Sequence, residues 1–96
     1  MATVISLLTF TDQGIRNIKD SPDRYEAFRT MAELMGAKVK GVYYTFGRYD
    51  MVLIVEGNYE AAMTAIMKVG SLGNVRTETL NGYSLEEMRE MIGKMP

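Results

Sequence analysis

Ninety-six residues with 11 basic and 12 acidic side chains, a formal net charge of −1, no His and no Cys make one domain (1–96) without the basic footprint that nucleic acid or an acidic membrane attracts. The missing Cys and His exclude disulfides, thiolate chemistry, a haem with a proximal His and the usual base of a nucleophilic triad, so no metal and no cofactor is expected. No run approaches the roughly 20 apolar residues that span a bilayer, and the N-terminus lacks the basic segment and long apolar core of a signal peptide, so a soluble cytoplasmic protein is expected.

Thr3 to Phe10 reads as a first strand, apolar on both faces at Val4-Ile5-Ser6-Leu7-Leu8. The turn formers Thr11-Asp12-Gln13-Gly14 then release the chain from the sheet, and Ile15 to Asp20 is expected to make a short helical turn. Ser21-Pro22-Asp23 reads as an N-cap, a proline at the first helical position and an acid against the positive helix end. Tyr25, Phe28, Met31, Ala32 and Met35 recur at steps of three and four and form one apolar stripe, with Arg24, Glu26, Arg29 and Glu33 opposite and Gly36 as the stop. Ala37 to Phe46 is a second strand with a bulge signal at Gly41.

Gly47-Arg48-Tyr49-Asp50 joins it to a third strand, Met51 to Glu56, as an antiparallel hairpin. Gly57-Asn58 ends that strand and caps a second helix striped by Tyr59, Ala62, Met63, Ile66 and Val69, which Gly70-Ser71-Leu72-Gly73 terminates. Asn74 to Leu80 is a fourth, more polar strand of the edge kind. Ser84-Leu85-Glu86-Glu87 is a capping box that opens a final helix with Leu85, Met88, Met91, Ile92 and Met95 on its apolar face.

The order β-α-β-β-α-β with an extra C-terminal helix matches the α+β split βαβ, or ferredoxin-like, arrangement of a four-stranded antiparallel sheet. Its first and third strands are central, and those are the two runs that fail to alternate. A strand with one wet face alternates, because its side chains point to opposite sides with a period of two. Two helices cover only one face of the sheet, leaving either Val52 and Ile54 or Met51, Leu53 and Val55 bare. A second copy is therefore expected to cover the other face, making the protein at least a homodimer.

Thr11-Asp12-Gln13-Gly14-Ile15, the Ser21-Pro22-Asp23-Arg24 helix start, Gly47-Arg48-Tyr49-Asp50 and the run Gly70 to Leu80 resemble the GYD-domain proteins over essentially the whole chain. The Gly-Tyr-Asp signature is represented by Gly47, Tyr49 and Asp50, with Arg48 inserted. The resemblance implies a dimeric α/β barrel, in which two ferredoxin-like sheets pack face to face, and no established reaction. Relatives by fold include cofactor-free monooxygenases, isomerases, haem-dependent enzymes and the effector-binding module of some bacterial regulators, so the fold alone does not choose a function.

Arg48, Tyr49 and Asp50 put a cation, a phenol and a carboxylate beside a glycine turn. The Arg fork can hold a carboxylate and the phenol can steer a carbonyl oxygen. The same residues also make a good turn with no ligand at all. Tyr44 and Phe46, with Tyr43, offer aromatic surface for a pocket wall or for packing. Glu56, at a strand end, is either a general base raised by burial or a solvated carboxylate. Three readings follow. The first is a homo-oligomer that binds a small organic ligand between sheet and helices through Tyr44, Phe46, Arg48, Tyr49 and Asp50. The others are an enzyme of the cofactor-free monooxygenase or isomerase kind, and a structural assembly unit without ligand.

Overall fold

The computed structural model describes residues 2–96. Its elements run β1 (Ala2–Phe10), α1 (Asp12–Arg16), α2 (Ser21–Leu34), β2 (Ala37–Tyr44), β3 (Met51–Gly57), α3 (Tyr59–Ser71), β4 (Val75–Gly82) and α4 (Leu85–Gly93), with a 3-10 turn at Ile18–Asp20. The four strands form one antiparallel sheet in the order β2-β3-β1-β4. This is the ferredoxin-like arrangement, and the two uniformly apolar strands take its centre.

Register assigns the faces. Val4 lies opposite Val55, Ser6 opposite Leu53 and Leu8 opposite Met51, and all six are buried against the helical layer. Phe28 and Ala32 of α2 and Ala62, Ala65 and Ile66 of α3 complete that core. Burying a Val, Leu or Met side chain is worth about 1.5–3 kcal/mol, so this layer is what stabilises the fold. The intervening residues point the other way: Ile5 opposite Ile54 and Leu7 opposite Val52, flanked by Leu80 on β4 and Tyr43 on β2. Met51, Leu53 and Val55 are thus the covered set. Val52 and Ile54 belong to the bare one, where Tyr43 and Leu80 are exposed.

Several local details differ from expectation. Thr11 caps α1, its hydroxyl accepting the Gly14 N–H at 3.1 Å, so the short helix starts at Asp12 rather than Ile15. Ser21 is not the N-cap of α2. The preceding 3-10 turn runs into the helix, Ser21 is itself helical, and its buried hydroxyl bonds that of Tyr44 at 2.8 Å. Gly36 stops the helix with φ +96°, a region open to glycine at little cost. The strand β2 ends at Tyr44, with one further bond from the Thr45 N–H to the Asp50 carbonyl closing the hairpin, and Phe46 beyond it is wholly exposed. A register shift between Val39 and Gly41 is the expected bulge, and β4 starts at Val75 rather than Asn74 and runs on to Gly82.

The helix α4 stands off the body of the fold. Its capping box forms as expected, with Glu87 N–H bonded to Ser84 Oγ and Ser84 N–H to Glu87 Oε1. Yet Leu85, Met88, Met91 and Ile92 all remain exposed.

Candidate functional site

The hairpin between β2 and β3 is held from within. The Asp50 N–H donates to the Leu8 carbonyl at 2.8 Å, and Asp50 Oδ2 accepts the Phe10 N–H at 2.8 Å. Thr45 Oγ1 closes the loop by donating to the Tyr49 carbonyl at 2.6 Å. The Asp50 carboxylate is therefore engaged with backbone at the end of β1.

Tyr49 reaches over the end of β1 to β4, where its hydroxyl donates to the Glu78 carboxylate. That bond holds the phenolic proton and raises the Tyr49 pKa above its usual 10.0, slight desolvation and the Glu78 charge acting the same way and Arg48 opposing. The Arg48 guanidinium sits 5.7 Å from the Tyr49 ring centroid, within cation–π range. Because Glu78 pairs with Leu7, this trio borders the bare sheet face. Glu56 faces Lys38 across the β2–β3 pair at the far end of the same face.

A second group of segments interlocks at the same end of the sheet as the hairpin. The Thr11 N–H donates to the Asn74 carbonyl at 3.1 Å and the Thr11 hydroxyl to the Gly73 carbonyl at 2.6 Å. Gln13 Nε2 donates to the Leu72 carbonyl and to Asn74 Oδ1. Gly14 is buried so close to this loop that any Cβ would overlap the Asn74 carbonyl oxygen. Thr11 to Gly14 and Leu72 to Asn74 thus form one hydrogen-bonded unit.

Between this unit, the sheet and the start of α2 lies a cavity of about 50 Å³. Leu8, Met51, Leu53 and Val75 supply its sheet wall, Ser21, Arg24, Tyr25 and Phe28 its α2 wall, and Val69, Leu72 and Asn74 the rest. Burial also raises the Tyr25 pKa, with Arg29 opposing. Of the five residues singled out in the sequence, only Tyr44 reaches this cavity's border with its side chain, through Ser21, while Asp50 touches the wall by its backbone N–H on the Leu8 carbonyl. Phe46 projects outward from the protein, Arg48 and Tyr49 border the bare sheet face, and Asp50 ties the hairpin to β1.

In the sequence Ser21 reads as a cap, Tyr25 as part of an apolar stripe and Arg24 as part of the polar face, none of them as a site residue. Arg24 nevertheless stands three residues after Ser21 and four before Phe28, spacings that share one helix face. Among the described residues no group of three or more acidic side chains has a metal-holding arrangement, and no helix is long and apolar enough to cross a membrane.

Residues 4–92 match the family model of the GYD domain. The chain belongs to the GYD domain family. This GYD domain is 31% identical over 90 residues, 92% of its own length and 95% of the relative's, to the glutamine synthetase and cystathionine beta-lyase binding protein of Thermus thermophilus. Its fold is that of the crystal structure of FFRP-DM1, with a TM-score of 0.60 at 21% identity over 86% of this chain and all of that one. It also resembles the crystal structure of TTHA0845 from Thermus thermophilus, with a TM-score of 0.53 at 27% identity over 88% of this chain and 95% of that one. The segments that carried the resemblance in sequence converge at one end of this fold: the hairpin tie, the interlocked loops and the α2 start all abut the cavity or its walls.

Proposed function

We propose that the protein is a cytoplasmic homo-oligomeric binding module, in which copies join through the bare sheet face and α4 contacts a protein partner. The observation that carries this reading is the α4 stripe. A helix with a complete capping box holds Leu85, Met88, Met91 and Ile92 in solvent, an apolar surface that its own chain does not cover. A relative that shares 31% identity along almost its whole length is named for binding two enzymes, which points to an enzyme as the partner class.

The bare sheet face suits a second copy. Ile5, Leu7, Val52 and Ile54 form its middle, and Lys38, Glu56, Arg76 and Glu78 lie on its rim by register. Charges of both signs around it leave like surfaces free to pair. The test is light scattering on the chain mixed with glutamine synthetase or cystathionine β-lyase of its own organism. A complex is expected that a Met88→Glu and Ile92→Glu pair abolishes while self-association persists. No complex with either enzyme would overturn the partner assignment.

The cavity favours a second reading beside the first, in which the module also takes a small organic molecule between sheet and helices. Tyr44, hydrogen-bonded to the cavity-lining Ser21, is the residue of the original set that would take part. In this reading Asp50 steadies Leu8 in the cavity's sheet wall, while Arg48 and Tyr49 lie on the opposite face.

A further inference from the structure

Deepening the small-molecule reading, we propose that the cavity beside Arg24 binds a short monocarboxylate, its carboxylate held by the Arg24 guanidinium and its apolar chain lying against the sheet. The Arg24 Nη1 donates to the Asn17 carbonyl at 2.9 Å. Its Nη2 is shielded from solvent and has no partner. A shielded donor on a cation without an acceptor is costly, because desolvation is not offset by a hydrogen bond. An anion at that nitrogen removes the cost.

The lining selects the ligand class. Among the cavity residues Arg24 is the one charged side chain, and no carboxylate shares the wall with it. With Nη1 held by the Asn17 carbonyl, the guanidinium leaves Nη2 for a counter-ion from outside. Leu8, Phe28, Met51, Leu53 and Val69 surround the rest of the space, which suits hydrocarbon. The Ser21 hydroxyl, shared with Tyr44, adds one further polar contact on the α2 wall.

Size and charge narrow the class further. One cation with a few neutral donors matches a monoanion, whereas a phosphate dianion calls for more donors than these walls offer. About 50 Å³, where about 10–15 Å³ already holds a water molecule, admits a carboxylate with a few carbons. A ligand with so few atoms binds in about the millimolar range.

The experiment is a methyl and arginine side-chain NMR titration of the full chain with propionate, propionamide and inorganic phosphate as separate probes. Propionate is expected to shift the Leu8, Leu53 and Val69 methyl signals together with the Arg24 guanidinium signals. Arg24→Met should weaken that binding about tenfold or more, the scale of one charge-assisted contact. Arg24→Lys, which keeps the charge but loses the fork, should fall between. Should Arg24→Met not fold, Val69→Leu narrows the cavity without touching the cation and is expected to weaken propionate binding as well.

Propionate binding that survives Arg24→Met unchanged would overturn the proposal, as would phosphate shifting the same signals more strongly. Propionamide shifting the cavity methyls as well as propionate does would overturn the carboxylate assignment and leave the small-molecule reading standing. No response at these methyls to any of the probes, with water alone beside Arg24, would overturn the carboxylate site. If larger neutral apolar probes also left them unmoved, the small-molecule reading would fall with it.

Discussion

The carboxylate of Asp50 and the backbone N–H of Phe10 are joined at 2.8 Å, and that bond fixes the β2–β3 hairpin to the end of a central strand 40 residues away in sequence. A signature that reads equally well as ligand-holding chemistry here has its acid engaged with backbone. Asp50→Ala removes a charge-assisted acceptor from a backbone donor, a loss of about 1.5–3 kcal/mol. In a domain of this size each kcal/mol lowers the melting temperature by about 4–8 °C. Thermal denaturation should therefore show a clear drop for Asp50→Ala and a smaller one for Asp50→Asn, which keeps an acceptor oxygen. An unchanged melting temperature for Asp50→Ala would contradict this role.

Gly14 should tolerate no side chain. Its Cβ position is occupied by the Asn74 carbonyl oxygen, so Gly14→Ala must push α1 away from the loop before β4 and break the Thr11 and Gln13 bonds. The expected destabilisation is about 2–4 kcal/mol, the range of a severe steric clash between backbone segments. Denaturant unfolding measures it, and a value indistinguishable from the parent chain would refute the interlock.

The helix α4 should loosen in acid. Glu87 has its pKa lowered from 4.5, chiefly because the Ser84 N–H donates to it, with the Ser84 side chain reinforcing the effect. A carboxylate with a depressed pKa contributes its stability above pH 4.5 and loses it as the pH falls through the lower folded value. Helical circular dichroism should decline below pH 4.5. Glu87→Gln, which keeps an acceptor for the Ser84 amide, should lose this step. Ser84→Ala should lower helicity at every pH, by about 1 kcal/mol of cap energy.

Tyr49 titrates in the opposite sense. Its pKa is raised, chiefly by the bond to Glu78, so whatever that bond contributes is present below pH 10.0 and lost as the pH rises through the folded value. Ultraviolet titration should find two tyrosines that ionise late, Tyr25 and Tyr49. Glu78→Gln should bring Tyr49 alone back toward the ordinary value, and no change on that substitution would break the assignment.

The sequence revealed the architecture because the two central strands are written differently from the edges. Val4 to Leu8 and Met51 to Val55 are apolar at every pleat position but Ser6, while Asn74 to Leu80 is mostly polar, and this difference orders the sheet. The faces could not be assigned, since Val52 and Leu53 are equally apolar and register against β1 decides between them. Ser21 misled because its spacing before Pro22 and Asp23 is that of a cap, and its bond to Tyr44 joins residues 23 positions apart. Arg24 is illegible in the sequence for a similar reason: charge places a residue outside by default, and only the packed layer shows its Nη2 shielded at the edge of a cavity.

The central claim is that the Ile5, Leu7, Val52 and Ile54 face meets its counterpart on another copy. Native mass spectrometry of the purified protein at micromolar concentration, with Ile54→Lys as the comparison, tests it most directly. The parent chain should fly at twice its 10.8 kDa mass or a higher even multiple, and Ile54→Lys should shift it to the single-chain mass without unfolding it. A parent protein found at the single-chain mass under those conditions would contradict the claim.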